Sequence, residues 1–368
     1  MAPVPETALE IHLGALAHNY GVIRERIRPQ TRLLGVVKAF GYGSEALAIA
    51  RKLETLGADY LAVAFSREGV RLREGGIRLP ILVLHPQPNS LDEVVEYCLE
   101  PNLYSRRILT LFREVLRQHQ QRHYPIHLEF NTGLNRLGFR EADLEWIGAQ
   151  LQGADELEVR SLFSHLAASD DPREAAFTRA QINAFERIAT QAPAHIPNTP
   201  FKHLLNTSGV FHYPEAQWDM VRTGIGLYGY SNNPETDRLL KPVARLRTRI
   251  SQIHEVGPGE WVGYNKGHVA TSRLRIATLP IGHADGIGRQ YGKGKGQVFI
   301  DEKPAPIAGN VCMDMTMVDV SGLDCREGDE VVFFGAGHSA EAMAAGAGTI
   351  SYEILAGISQ RIPRIIFD

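Results

Sequence analysis

The sequence predicts an α/β protein, an N-terminal (β/α)8 TIM-like barrel followed by a mainly β C-terminal domain. Three observations predict it. Short apolar, β-rich runs alternate with longer amphipathic runs up to about residue 240, the pattern of parallel βα units. About eight such units fall in roughly 230 residues, the size of a closed barrel of this kind. After Lys241 the texture changes to successive strand-like runs with Gly/Pro turns between or after them, such as Gly257-Pro258-Gly259 and Gly335-Ala336-Gly337. A length of 368 residues also exceeds one ordinary compact domain. The expected division is an N-terminal segment 1–10 packing with the C-terminal domain, a barrel over 11–240, and a β-rich domain over 241–368.

Taken in order, the barrel strands are expected at 33–37, 60–64, 81–84, 103–104, 126–130, 157–163, 203–205 and 220–222. Each is a short run of Val, Ile, Leu, Phe or Tyr, the residues that fill a pleated surface buried on both faces. The fourth, at 103–104, is short and poor. Between them, 44–56, 91–99, 108–118, 141–150 and 173–190 repeat apolar residues at helical spacing. In the second domain, 245–256, 273–279, 297–300, 315–320 and 330–334 read as strands and 349–358 as a helix, while the small residues of 342–348 suggest a loop or tight helix.

Composition narrows the function. A formal charge of -3 with dispersed basic residues gives no reason to expect nucleic acid or an anionic membrane. Cys98, Cys312 and Cys325 are too few and too far apart for a disulfide framework or a zinc site, and no metal is expected. Residues 1–10 lack a basic stretch followed by an apolar one, and no apolar run approaches the roughly 20 residues of a membrane span. A cytoplasmic protein is expected.

In a parallel barrel, chemistry gathers at the C-terminal ends of the strands. Lys38 follows the first strand, His85 the third, Asn131 the fifth and His165 the sixth; Asn206 and Thr207 follow the seventh, Arg222 and Gly224 the eighth. Lys38 is flanked by small, flexible residues, so its amine has space beside it. Partial burial lowers an amine's pKa, and neutral lysine is the form that makes Schiff bases. The loops after the last two strands, Asn206-Thr207-Ser208-Gly209 and Thr223-Gly224-Ile225-Gly226, offer hydroxyls and glycine amides where barrels often bind phosphate. Lysine and loops together suggest a phosphate-bearing aldehyde cofactor.

The stretch Val36-Val37-Lys38-Ala39-Phe40-Gly41-Tyr42-Gly43 resembles the cofactor-lysine signature of bacterial alanine racemases. Further matches follow in the family's order: Asn131-Thr132-Gly133-Leu134-Asn135-Arg136-Leu137-Gly138, Ser164-His165, Asn206-Thr207, Val221-Arg222-Thr223-Gly224-Ile225, Val262-Gly263-Tyr264, Ile281-Gly282-His283-Ala284-Asp285-Gly286, Val311-Cys312-Met313-Asp314 and Thr349-Ile350-Ser351-Tyr352-Glu353. The resemblance covers nearly the whole chain. It implies pyridoxal 5'-phosphate on Lys38 and interconversion of L- and D-alanine by a two-base mechanism on the substrate's aldimine, supplying D-alanine for peptidoglycan. Lys38 would act on one face of the substrate and Tyr264 on the other. A tyrosine base needs cationic neighbours, since free tyrosine titrates near pH 10. Arg222 would face the pyridine nitrogen and leave it largely unprotonated, with His165 behind it. Tyr42, Asn206, Thr207, Gly224, Ile225 and Tyr352 would hold the cofactor's phosphate end. Arg136 and the Met313 amide would sit near the substrate, with Asp314 and His283 in support. Tyr264 and Met313 reach the site from a partner subunit in this family, so a homodimer with composite sites is implied.

Four positions depart from the family pattern. Glu129 stands where many members have a lysine that can be carbamylated; period two puts His127, Glu129 and Asn131 on one strand face. The expectation is that Glu129 orients Arg136 without modification. Asn131 replaces a common aspartate, His283 a usual tyrosine, and Asn310 an arginine that often lines the entrance, where Arg289 remains. These changes bear on substrate range, so a racemase of broader amino-acid range is the alternative reading. A decarboxylase of similar fold is disfavoured because it would place a carboxylate, not Arg222, at the ring nitrogen. A non-catalytic carrier is disfavoured by the β domain that carries Tyr264 and Met313.

Overall fold

The computed structural model describes residues 5–368; the first four residues of the expected 1–10 segment lie outside the described residues. The chain opens with β1 (Ala8–His12) and a helix, Leu13–Arg24. Eight parallel strands then close into a barrel in sequence order: β2 (Arg32–Val36), β3 (Tyr60–Val63), β4 (Ile81–Val83), β5 (Glu100–Leu103), β6 (Tyr124–Glu129), β7 (Leu157–Phe163), β8 (Phe201–His203) and β9 (Met220–Thr223). Closure is made by β2 against β9, with Leu34 opposite Arg222. The central strands are buried on both faces; Ile81, Leu82 and Val83 are all at 0% exposure, which is why these strands read as continuous apolar runs.

Two strands differ from the sequence reading. The fourth begins at Glu100, three residues before the expected 103–104, because its inward positions Glu100 and Asn102 are polar. The seventh ends at His203 instead of beginning there, since Leu204 and Leu205 are core residues that follow the strand.

The second domain contains β10 (Ala244–Arg249), β11 (Gln252–Val256), β12 (Trp261–Val262), β13 (His268–Val269), β14 (Leu274–Leu279), β15 (Gln297–Ile300), β16 (Lys303–Pro306), β17 (Thr316–Asp319), β18 (Glu330–Phe334) and β19 (Arg364–Phe367). The run expected as one strand over 245–256 breaks at Ile250-Ser251, and its halves join different sheets. A six-stranded sheet has the order β16-β15-β18-β10-β1-β19, a three-stranded one β11-β14-β17, and β12 pairs with β13. β1 is therefore an inner strand of the second domain's sheet, antiparallel to β10 and parallel to β19. Glu10 in β1 accepts from Arg247 Nε at 2.5 Å and from Arg245 Nη1 at 2.8 Å, clamping that seam.

The turn after β2 positions the site. Ala39, Phe40, Gly41 and Tyr42 all have positive φ, at 53°, 57°, 64° and 51°. A left-handed turn of this length costs about 1–2 kcal/mol for each non-glycine residue. Three hydrogen bonds hold it: Gly41 N to Val37 O at 3.0 Å, Gly43 N to Ala39 O at 2.8 Å, and Ala39 N to Glu68 Oε1 at 2.6 Å. Gly43 lets the helix Ser351–Gly357 lie on this turn, since a Cβ there would stand 2.0 Å from Leu355 O. That close approach brings Tyr352 to within 6.0 Å, ring to ring, of Tyr42.

Candidate active site

The C-terminal ends of the strands open into a cavity of about 530 Å³. Lys38 and Tyr42 from the turn after β2 line it, with His85, Glu129 and Arg136, His165, then Asn206, Thr207, Arg222, Gly224 and Ile225, and Tyr352 arriving from the second domain; Asn131 does not. Asn131 instead shapes the loop before Arg136, accepting from the amides of Gly133 and Asn135 at 3.0 Å each.

Lys38 is half-buried. Burial pushes its pKa down, the Arg136 charge pushes the same way, and Glu68 opposes both. Glu68 was not foreseen from the sequence. It caps its own helix by accepting from Ala64 N and Phe65 N, and its other oxygen takes the Ala39 amide, so it ties Lys38's turn to the next strand.

Arg222 is 4% exposed and nearly saturated. Its Nη1 donates to His203 Nδ1 at 2.7 Å; its Nη2 donates to Ser164 O at 2.6 Å and lies 3.2 Å from both His165 Nδ1 and Leu204 O. The Phe163 ring stacks beneath it, 5.1 Å from the guanidinium carbon. Burial lowers its pKa to about 10, which leaves it a cation at neutral pH. Burial, followed by the Arg222 charge, pushes both His165 and His203 well below the ordinary histidine range, so both are neutral acceptors. Among the described residues Arg222 Nε has no protein acceptor, and Nη1 has only the one bond to His203.

At another wall lie the hydroxyls. Thr207 Oγ1 accepts from Gly224 N at 3.2 Å and Gly226 N at 3.3 Å. Burial pushes the Tyr42 and Tyr352 phenols up, so they remain donors. Neither hydroxyl has a protein partner among the described residues. A Cβ at Gly224 would meet Tyr42 Oη at 2.3 Å, so the backbone reaches this cluster only as glycine.

Glu129 is buried and inward, as its strand face predicts, but it does not bond Arg136. Its Oε2 accepts from Asn102 Nδ2 at 2.5 Å. Burial raises its pKa, against the Asn102 bond and the charges of Arg222 and Arg136.

The remaining expected residues are elsewhere. Tyr264, Met313 and Asp314 line a separate depression of about 880 Å³ on the second domain, which shares no lining residue with the barrel cavity. Tyr264 is 71% exposed and Met313 60%, among the exposed apolar Trp261, Val269 and Met315. The Tyr264 carbonyl accepts from Asn310 Nδ2 at 2.9 Å, so Asn310 fixes the loop that presents the phenol. His283 is exposed, and its amide holds Cys312 O at 2.9 Å. Asp314 pairs with Arg361 at 2.7 Å, which also holds Asp285. Arg289 is exposed near Cys312.

Comparison with known proteins identifies the family. Family models described as alanine racemase, N-terminal domain, and alanine racemase, C-terminal domain, match residues 11–232 and 243–366. The alanine racemase of Synechocystis sp. is 35% identical over 367 residues, covering 97% of this chain and 98% of the relative. The solved alanine racemase of Clostridium difficile 630 superposes with a TM-score of 0.93 at 30% identity, covering 99% of this chain and 96% of that one. That of Bartonella henselae, solved with covalently bound pyridoxal phosphate, gives 0.89 at 27% identity, covering 99% and 100%. The chain belongs to the alanine racemase family.

Proposed function

We propose that the protein interconverts L- and D-alanine with pyridoxal 5'-phosphate on Lys38, by two opposed proton-transferring groups, Lys38 and Tyr264, and that the D-alanine serves peptidoglycan. The observation that carries this reading is the convergence of a half-buried lysine, a buried arginine with a spare N–H, and unpartnered phenols on one cavity. Those residues fit the cofactor. Lys38 has the lowered pKa a Schiff-base amine needs. Tyr42, Thr207 and Tyr352, with the Ile225 amide, offer donors to a phosphate, beside Asn206 and Gly224. Arg222 Nε–H is a donor left for the ring nitrogen. Bound there, the cofactor supplies an electron sink for the negative charge that develops at Cα.

The protein's own groups then divide the work. Lys38 Nζ takes or returns the Cα proton on one face, and Tyr264 Oη does so on the other. Arg222 would give the ring nitrogen a hydrogen bond while keeping its own proton, a partner that favours return of the proton to Cα. Arg136 holds the substrate carboxylate, with the Met313 amide, which has no acceptor among the described residues.

Tyr264 lies outside the cavity of its own chain and stands exposed on an apolar face. A homodimer that carries each Tyr264 into the partner's barrel cavity reconciles the two half-sites and covers that face.

The test is solvent-deuterium incorporation at Cα of both alanine enantiomers, run beside lysine and ornithine. Exchange with both alanine enantiomers is expected. Its absence overturns the proposal, exchange with all three amino acids points to a broad-range racemase, and carbon dioxide release to a decarboxylase.

A further inference from the structure

Arg222 is the last member of a buried hydrogen-bond chain that takes one residue from each of five neighbouring barrel strands. His203 Nδ1 on β8 meets Arg222 Nη1 at 2.7 Å. His203 Nε2 meets Ser161 Oγ on β7 at 2.8 Å. Ser161 Oγ meets His127 Nδ1 on β6 at 2.6 Å. His127 Nε2 meets Glu100 Oε2 on β5 at 2.8 Å. His127, Ser161 and His203 are at 0% exposure and Glu100 at 8%. The Tyr60 hydroxyl of β3 also donates to Glu100 Oε2, at 3.3 Å. Barrel interiors are ordinarily layers of branched apolar side chains. Nothing in the proposed reaction uses Glu100, His127 or Ser161.

The two ends fix the sense of the chain. A guanidinium has donors and no acceptor; a carboxylate has acceptors and no donor. Glu100 therefore requires a proton on His127 Nε2, which leaves His127 Nδ1 bare. Ser161 must give its hydroxyl hydrogen to that nitrogen, so its oxygen accepts from His203 Nε2–H. His203 Nδ1 is then bare and accepts from Arg222. Every bond runs the same way, from the cation to the anion. An added proton on either imidazole breaks the pattern: a proton on His203 Nδ1 faces an arginine donor, and a proton on His127 Nδ1 leaves the Ser161 hydroxyl hydrogen with no acceptor in the chain or turns it toward His203, where it forces the same conflict. Burial and the Arg222 charge, which push His203 well below its ordinary pKa, act in the same direction.

We infer that Glu100 is a positioning residue for Arg222, acting through His127, Ser161 and His203 by holding both histidines as Nε2–H tautomers. The inference rests on the proposed role of Arg222 for its effect on catalysis, but not for the tautomers. It explains why a carboxylate is kept inside the barrel below the cavity. Removing it leaves His127 Nε2–H without its acceptor and leaves only the Arg222 end to set the sense of the chain.

The test uses holoenzyme labelled with 15N-histidine, whose solid-state 15N spectrum separates protonated from bare ring nitrogens; His203→Asn and His127→Asn variants assign the signals. Wild type is expected to show Nε2–H and bare Nδ1 at both residues. Glu100→Leu is expected to move the His127 proton to Nδ1 in part of the molecules, where it competes with His203 Nε2–H for Ser161 Oγ and loosens the acceptor behind Arg222, and to lower kcat about tenfold, the worth of one buried bond to a charged group. Glu100→Gln keeps a neutral acceptor and is expected to retain the wild-type tautomer. A proton on His203 Nδ1 in the wild-type enzyme overturns the inference whatever the variants do. So does a Glu100→Leu enzyme with unchanged histidine signals. Altered tautomers with undiminished kcat uphold the chain and overturn the role given to Arg222, so the two readings fail separately.

Discussion

Replacing Gly224 by alanine tests the phosphate end of the cavity through one contact. The new Cβ would stand 2.3 Å from Tyr42 Oη and 3.1 Å from its Cζ. Ordinary contact needs about 1 Å more. Tyr42 cannot swing clear: its ring packs 4.5 Å from Tyr228 and 6.0 Å from Tyr352, and the residue is 7% exposed. Overpacking of this kind costs about 1–3 kcal/mol. Displacing the Tyr42 hydroxyl from an anionic ligand removes a charge-assisted bond worth about 1.5–3 kcal/mol. The expected outcome is roughly 10- to 100-fold weaker binding of pyridoxal 5'-phosphate, with a fall in Tm of about 1–4 °C for a chain of this length. The assay is titration of the cofactor-free protein with pyridoxal 5'-phosphate by absorbance, beside Tyr42→Phe, which removes the hydroxyl without a clash. Wild-type affinity in both variants refutes the reasoning; weakened binding in Gly224→Ala with full affinity in Tyr42→Phe refutes the part given to the hydroxyl.

Tyr264→Phe is expected to lower racemisation about 10²- to 10⁴-fold while Tm and cofactor absorbance hold, because the side chain is 71% exposed in the single chain; deuterium exchange should fall more for L-alanine than for D-alanine, and equal retention of both would remove Tyr264 from the chemistry. Glu129→Gln tests a buried carboxyl whose pKa is raised chiefly by burial. The folded state then prefers the protonated form, so ionising Glu129 costs stability above its folded pKa, and the cost is released as pH falls through that value toward the ordinary 4.5. The variant should therefore melt above wild type at pH 7, and the gap should close in acid; a gap that does not change with pH argues against an ionised, desolvated Glu129. Gly43→Ala places a Cβ 2.0 Å from Leu355 O at a position with φ of 78°. It should displace the helix that carries Tyr352, and a cofactor affinity equal to wild type would show that this helix contributes nothing to binding.

The barrel was legible where its strands are apolar on both faces, as at Ile81-Leu82-Val83, and faint where they are not. β5 reads Glu-Pro-Asn-Leu. Its inward Glu100 and Asn102 answer to His127 and Glu129, partners 27 residues away in each case, which no local pattern reveals. The cavity residues were legible because the motifs name them in order. Glu68 and His203 were not, since each owes its part in the site to a partner on the neighbouring βα unit. The left-handed turn was hidden for a different reason: Ala39, Phe40 and Tyr42 have no intrinsic preference for positive φ, and Glu68 and the overlying helix impose it. The paired halves of 245–256 show the same limit, because β-propensity cannot say which of two sheets will claim a strand.

The inner position of β1 has a consequence for how the molecule is made. The strand is synthesised before the barrel, yet the two neighbours that satisfy its edges, β10 and β19, are synthesised after it. Until β10 is made it is a strand with two open edges and a buried-to-be carboxylate, Glu10, without its arginines, and its other edge stays open until β19 follows. The barrel has its sequence complete long before that, so a nascent chain carries a finished scaffold with an unsatisfied tail beside it, the kind of edge on which chains aggregate. Emergence of β19 is what seals the sheet, and His12 stacking on Phe367 at 5.1 Å marks the seam between β1 and β19. Loss of a handful of C-terminal residues would strike the first strand as hard as the last.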